Sequence, residues 1–268
     1  MIEQSAADLV QRVRNNPKYQ SIMPEIVHRL AEDALRRGLA GKPAVKDVRS
    51  KLHQIGGAYL KRKVDYREWA LRLHQMPSSP SSPALKDFCR EAIQIHASTA
   101  ERIPILENFF HTCLASIAPV TSVLDLACGL NPLALPWMPL AEGCTYQACD
   151  IYLDILGLVN SFFNHLGMDA SAEPCDLISG VPQQKTQVAF LLKSIPCLEQ
   201  VDKAIALPLL QSIPAKHILV SFPVRSLGGA KKGMPGFYRD HFYEIIADEG
   251  WQIEEFVFSS ELAFLVTQ

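Results

Sequence analysis

Two carboxylates and one small-residue turn define the chemistry open to this chain. Val123 to Leu126 is a short apolar run interrupted only by Asp125, and Ala127, Cys128, Gly129, Leu130, Asn131 and Pro132 follow it. Such a run, halted by small residues and an Asn-Pro breaker, reads as a buried strand entering a turn. Asp150 closes a second run that begins at Tyr146, and Asp176 follows a third, beside Leu177. A small-residue turn lets the backbone approach the charged end of a ligand, and an acid at the next strand end can accept from ribose hydroxyls. An acid beside an apolar side chain can hold an adenine, the acid taking the exocyclic amine and the apolar group covering the ring. Only Gly129 is present where a dinucleotide fingerprint needs three glycines. The alternative is a strand that merely ends in Ala-Cys-Gly, and this stretch alone does not separate the two.

Two further stretches carry polar groups in unusual settings. Ser98 or Thr99 can cap a helix running to about Ile117, which places Arg102 in its first turn. A cation there opposes the helix dipole and calls for an acidic partner, either a protein carboxylate or a ligand's. Local sequence leaves both open. Later, Ser221 to Met234 contains three glycines together with Arg225, Lys231 and Lys232. Those three cations are a large share of the basic residues after position 102, and they predict an anionic partner for this loop. After Leu192 comes Lys193, and the Asn/Asp-Pro-Pro-aromatic sequence often found where exocyclic base amines are methylated is missing.

The elements that must position these groups fall into two blocks. Residues 1–83 read as basic helices: 5–13, a second opened by Pro24, a third over 43–60, and a fourth capped by Asp65. They end in a Pro/Ser-rich run, Pro77 to Pro83, taken as a boundary. Arg36, Arg37, Lys61, Arg62 and Lys63 lead their basic residues, with Lys46, Arg49, Lys51, Arg67 and Arg72 beside them. Tyr59, Tyr66 and Trp69 are dispersed, so the pattern fits reading a folded RNA by shape and phosphate rather than stacking on single-stranded bases. Residues 84–268 alternate apolar runs with helices. Strands are expected at 122–126, 145–150, 170–175, 187–192 and 217–222, and helices at 152–166, 197–212 and 236–249. Two last runs, 251–258 and 262–267, form a hairpin. Five parallel strands closed by a hairpin predict an α/β, Rossmann-like, seven-stranded class I methyltransferase sheet with a helical N-terminal extension.

Composition agrees with this division. Of 268 residues, 48% are hydrophobic, which supports a proper core. Residues 1–102 carry 18 Lys/Arg against 11 Asp/Glu, a net +7, whereas residues 103–268 carry 8 against 17, a net −9. A basic front on an acidic body predicts a footprint for nucleic acid. Seven scattered cysteines without a Cys-x-x-Cys pair argue against a disulfide framework or a zinc site and for a reducing cytoplasm. No apolar run has the length of a membrane span.

Several stretches together resemble one family. They are Leu52 to Tyr59, His96 to Thr99 with Glu101 and Arg102, Leu124 to Leu135, Cys149 to Ile151, Leu191 to Lys193, Ser221 to Pro223 with Arg225 to Gly229, Lys232 to Met234, and Glu261 with Leu262. They resemble the aminoglycoside-resistance 16S ribosomal RNA methyltransferases of the Arm/Rmt type and their actinomycete relatives, which act on guanine N7 in the decoding site. The resemblance covers nearly the whole chain; the segment 166–186 matches poorly. It implies S-adenosylmethionine as cofactor, with Ala127 and Gly129 along its methionine end and Arg102 at its carboxylate. It also implies Asp150 at the ribose, Ile151 against the adenine, Asp176 and Leu177 contacting the adenine, and His96 and Lys193 either at the cofactor or only bracing its pocket. On the RNA side, Arg225, Lys231, Lys232 and Met234 are expected at the displaced nucleotide and the helical front on the 30S subunit, and the protein is expected to be a cytoplasmic monomer. The rival readings are the same fold aimed at a decoding-site adenine N1 or a tRNA guanine, a non-catalytic RNA-binding factor, and, against the basic front, a small-molecule methyltransferase.

Overall fold

A computed structural model describes residues 5–57, 64–224 and 234–268 of the chain. The front helices are α1 (Ala6–Arg14), α2 (Pro24–Arg36), α3 (Gly41–Leu52) and α4 (Tyr66–Leu73). Ser5 and Asp65 cap α1 and α4 through their side chains, accepting from the backbone N–H groups of Asp8 and of Arg67 and Glu68. Pro24 opens α2, where its missing N–H costs nothing. The expected third helix is shorter than 43–60. It gives way at His53 to a π-helical turn ending at Gly57, the kind of local widening that glycines permit and that often marks a functional site.

Helix α5 (Pro83–Ile93) leads into α6 (Ala97–Ala100), a 3₁₀ turn (Ile103–Ile105) and α7 (Leu106–Cys113). The expected continuous helix 98–117 is therefore broken. Pro104 cannot donate a backbone hydrogen bond and forces the interruption. His96, not Ser98 or Thr99, occupies the cap position. The Thr99 hydroxyl instead donates to the carbonyls of Ile93 and His96, at 2.6 and 3.1 Å. Arg102 therefore follows the end of α6 and occupies the N-cap position of the 3₁₀ turn that leads into α7.

The remainder builds the sheet: β1 (Val120–Leu126), β2 (Leu140–Asp150), α8 (Leu153–Leu166), β3 (Ala170–Pro174), β4 (Thr186–Leu192), α9 (Ile195–Leu198), α10 (Ala206–Ser212), β5 (Ala215–Pro223), α11 (Met234–Ile245), β6 (Gln252–Val257) and β7 (Glu261–Thr267). The strand order is β3-β2-β1-β4-β5-β7-β6. The first five strands are parallel and β7 runs antiparallel between β5 and β6, as the alternating runs and final hairpin predict. The expected helix 197–212 is split, because the chain turns at Val201 and Asp202 between α9 and α10.

Side chains alternate across the strands, so the central strands feed two cores. Val123, Tyr146, Ala148, Val188 and Phe190 join a cluster with α8, α7 and the front helices. Leu124, Leu126, Ala189, Leu191, Ile218 and Val220 join a second cluster, covered by α10 and α11. Strands buried on both faces read as near-continuous apolar runs, which is why they stand out in the sequence. The first cluster runs without a break from Leu9 and Leu30 in the front to Tyr146 and Phe163 on the sheet. A backbone seam ties the two as well: Met23 N–H donates to the Ile151 carbonyl (2.8 Å) and Leu153 N–H to the Ser21 carbonyl (2.7 Å).

Candidate active site

The sheet order reverses between β1 and β4, the switch point at which ligands bind in open α/β sheets. A recess opens there at the carboxyl ends of the strands, with about 720 Å³ of empty space, solvent at its mouth included. That volume suits a nucleoside-sized ligand. Eight of the nine residues expected at a cofactor meet in its wall: His96, Ala127, Gly129, Asp150, Ile151, Asp176, Leu177 and Lys193.

The turn after β1 is strained in a specific way. Ala127 has φ +51° and Lys193, at the end of neighbouring β4, has φ +57°. Left-handed backbone at a non-glycine residue costs about 1–3 kcal/mol and persists only where packing over-determines it. Gly129, also left-handed at φ +49°, is needed for a second reason. A Cβ there would lie 3.1 Å from His96 Nδ1. The turn and His96 are thus packed face to face, and burial pushes the imidazole pKa down to about 4, so the ring is neutral. Burial also holds the Cys128 thiol well above its usual range, leaving it a packing group rather than a nucleophile.

Asp150 is fixed by the backbone around it. One carboxylate oxygen accepts from Gly129 N–H (2.8 Å), the other from Ile151 and Tyr152 N–H (2.7 and 3.1 Å). Burial raises its pKa, and these three N–H groups oppose that rise. A carboxylate offers about four acceptor sites, so one remains for a ligand hydroxyl. Asp176 is held by Ile178 N–H, the Ser179 hydroxyl and Arg29 Nε at 2.6 Å. Ile151 and Leu177, both buried, supply apolar wall beside these acids.

Arg102 is the exception among the expected residues. It does not line the recess. Its Nε and Nη2 donate to the two oxygens of Glu261 (2.8 and 3.1 Å), and Nη1 donates to Asn131 Oδ1 (2.6 Å). The protein carboxylate, one of the two partners left open by the sequence, is therefore the one present. Arg102 is 3% and Glu261 0% exposed. Burial pushes Glu261 up, but the Arg102 and Lys193 cations outweigh it and hold its pKa below the usual range. Lys193, which does line the recess, donates to the Ser98 carbonyl and to Glu101, both at 2.9 Å, and lies 3.2 Å from Glu261. The polar chain continues inward: Asn131 Nδ2 donates to Asp125 (2.8 Å), as does the Tyr146 hydroxyl (2.7 Å). Burial raises Asp125 to about 7, opposed by those two donors.

Sequence reasoning missed the front's share of the recess. Ile26 of α2 and Ile55 and Gly56 of the π-helical turn line it. A Cβ on Gly56 would lie 2.8 Å from the Tyr152 ring, so the glycine lets the turn close on the wall. Glu261 and Asn131 belong to stretches that carry the resemblance, but nothing local signals their pairing with Arg102. Of the expected RNA-facing residues, Arg36 is exposed, 4.0 Å from Asp33, whereas Arg37 is bound more closely by Asp33 and Asp47. Lys61, Arg62, Lys63, Arg225, Lys231 and Lys232 lie outside the described residues, and Met234 opens α11 with its side chain outside them.

Residues 15–265 match the model of the family described as ribosomal RNA methyltransferase (FmrO). The chain belongs to this family. Its relatives include the 16S rRNA (guanine(1405)-N(7))-methyltransferase of Frankia casuarinae, 34% identical over 267 residues, covering 98% of this chain and 94% of that one. The enzyme of the same name from Micromonospora echinospora is 32% identical over 260 residues, covering 96% and 94%. Among solved structures, 16S rRNA methyltransferase RmtF in complex with S-adenosyl-L-homocysteine superposes with TM-score 0.82 at 32% identity, covering both chains completely. The 16S rRNA methylase RmtB superposes with TM-score 0.81 at 25% identity, covering 99% of each chain.

Proposed function

We infer that this protein is a 16S rRNA (guanine-N7)-methyltransferase that uses S-adenosylmethionine and acts, as a cytoplasmic monomer, on the decoding site of the 30S subunit. The observation that carries the reading is the recess at the β1/β4 switch point, where a left-handed small-residue turn faces two backbone-anchored carboxylates in a chain of this family. The residues fit the cofactor. Asp150 has an acceptor site left for ribose hydroxyls. Asp176 can take the adenine amine between Leu177 and Ile151. The methionine end falls to Ala127, Gly129, His96 and Lys193, with Arg102 one layer behind.

S-adenosylmethionine supplies an electrophilic sulfonium methyl. Guanine N7 carries a free lone pair in the neutral base, so the chain need provide no general base. Its residues act by positioning and by excluding water. The His96–Gly129 contact and the Lys193–Glu101–Glu261–Arg102 cluster fix the recess wall against which the two reactants align. The target base must be drawn out of stacked RNA, at a cost of a few kcal/mol. We assign that work to the segment 224–234, with Arg225, Lys231 and Lys232 on phosphates and Met234 beside the displaced nucleotide.

The front helices supply the docking surface. Arg37 and Lys51 are held by Asp33 and Asp47, so their charge is spent within the protein. Arg12, Lys42 and Lys46 instead line a groove between α1 and α3 together with Arg49, and no carboxylate lies within ion-pair distance of those first three among the described residues. We place rRNA phosphates there, alongside the exposed Arg36. A positive charge on the methylated guanine at the drug site would weaken aminoglycosides of the gentamicin and kanamycin type. Incubating the protein with 30S subunits and labelled cofactor, then mapping borohydride–aniline cleavage, tests the whole reading. Cleavage at the decoding-site guanine is expected, and its absence sinks the assignment.

A further inference from the structure

The front block does more than dock. Helix α2 places two residues one turn apart, Ile26 and Arg29, on the same face. Ile26 enters the recess wall and is 1% exposed. Arg29 Nε lies 2.6 Å from Asp176 Oδ2 in a pair whose side chains are 28% and 7% exposed. The Arg29 Nη2 is buried with no hydrogen-bond partner among the described residues, so Asp176 provides the main compensation for bringing this cation inside. Asp176 stands just beyond the end of β3, where, among the described residues, only the Ile178 N–H and the Ser179 hydroxyl, both from its own turn, otherwise restrain its carboxylate. A short acid-bearing turn restrained only by itself can rotate its carboxylate. A guanidinium from a separate helix fixes the direction in which the remaining lone pair points.

We propose that Arg29 is a positioning residue for nucleoside recognition: from α2 it orients Asp176 as the acceptor for the exocyclic amine of adenine, so that the rRNA-docking front also completes the cofactor site. The proposal rests on reading the recess as the S-adenosylmethionine site. It makes α2 a mechanical link, because the helix that anchors the adenine acceptor packs against α3, which borders the basic groove. Binding at either place then favours the arrangement of α2 that the other requires, and such coupling is reciprocal.

The test is calorimetry on the full chain with two probes, S-adenosylhomocysteine and its 6-oxo analogue S-inosylhomocysteine, which presents an acceptor where adenine has a donor. The wild-type chain should prefer the adenine form by about tenfold or more. Arg29→Met should weaken S-adenosylhomocysteine by about tenfold and shrink the preference between the two probes, while Arg29→Lys, which keeps the charge, restores much of both. Arg29→Gln takes the place of Arg29→Met should the latter fail to fold. With Asp176→Asn in the background, the Arg29 substitution should have little further effect. Unchanged affinity in Arg29→Met, or an equal loss toward both probes, overturns the proposal and leaves the cofactor reading standing. A wild-type chain that binds neither probe overturns the cofactor reading itself.

Discussion

Residue by residue, the site is governed by what burial does to a few ionisable groups. His96 is depressed to about 4 in the fold, against about 6.5 in an unfolded chain. The fold therefore prefers the neutral ring. Its contribution is complete above about pH 6.5 and is lost as pH falls toward 4, by up to about 3 kcal/mol. Asp125 acts in the opposite sense. Raised from the ordinary carboxylate range to about 7, it favours folding below about pH 4 and loses that contribution as pH rises to about 7. Urea midpoints measured from about pH 4 to 7 should separate them. His96→Asn should gain on the wild type as the solution is acidified, and Asp125→Asn should gain on it as the solution is made neutral. Arg102 makes a different kind of prediction. Arg102→Met leaves Glu261 buried beside one remaining cation, and removing one partner of such a pair costs about 3–5 kcal/mol. Thermal unfolding should show a marked drop in midpoint. Lost cofactor affinity at an unchanged midpoint would instead place Arg102 directly on the ligand. The sequence marked Arg102 as a cation in need of an acid, but Glu261 is 159 positions away, and no local pattern can name a partner at that separation.

The elements carry the next level of prediction. The π-helical turn His53–Gly57 touches the recess through Ile55 and Gly56, and Gly56 has no room for a side chain against the buried Tyr152 ring. Gly56→Ala should displace the turn at a cost of about 1–3 kcal/mol. The expected result is weaker S-adenosylhomocysteine binding by calorimetry, on the order of tenfold; full affinity would mean that the turn yields without disturbing the wall. Strands were legible in the sequence because β1, β4, β5 and β7 are buried on both faces and read as apolar runs. Helix continuity was less legible. Periodicity alone carried the 98–117 helix through Pro104 and the 197–212 helix through the turn at Val201 and Asp202, where local hydrogen-bonding constraints prevailed over apolar spacing.

For the whole molecule, the charge division between residues 1–102 and the rest is a statement about the partner rather than the fold. If Lys42 and Lys46 meet phosphates, the double variant Lys42→Glu, Lys46→Glu should bind 30S subunits far more weakly. Its salt dependence should be shallower by roughly 0.7–0.9 for each phosphate that is no longer neutralised. Its affinity for S-adenosylhomocysteine should stay at the wild-type value, and filter binding across a salt series beside calorimetry checks both. By itself the sequence determined the apolar runs that become strands, the terminal hairpin, the small-residue turn and the acids at Asp150 and Asp176, because burial, turn chemistry and strand ends leave their marks within a few residues. Only the tertiary structure decided what those groups answer to. Arg29 on Asp176, Glu261 on Arg102, His96 against Gly129 and the front's closure of the recess all join residues distant in sequence, and their pairing is set by where the two hydrophobic clusters bring the helices to rest. The division at Pro83 is clear in composition, yet the hydrophobic cluster crosses it from Leu30 to Tyr146, since apolar faces pack wherever they are complementary and not where the chain changes its charge.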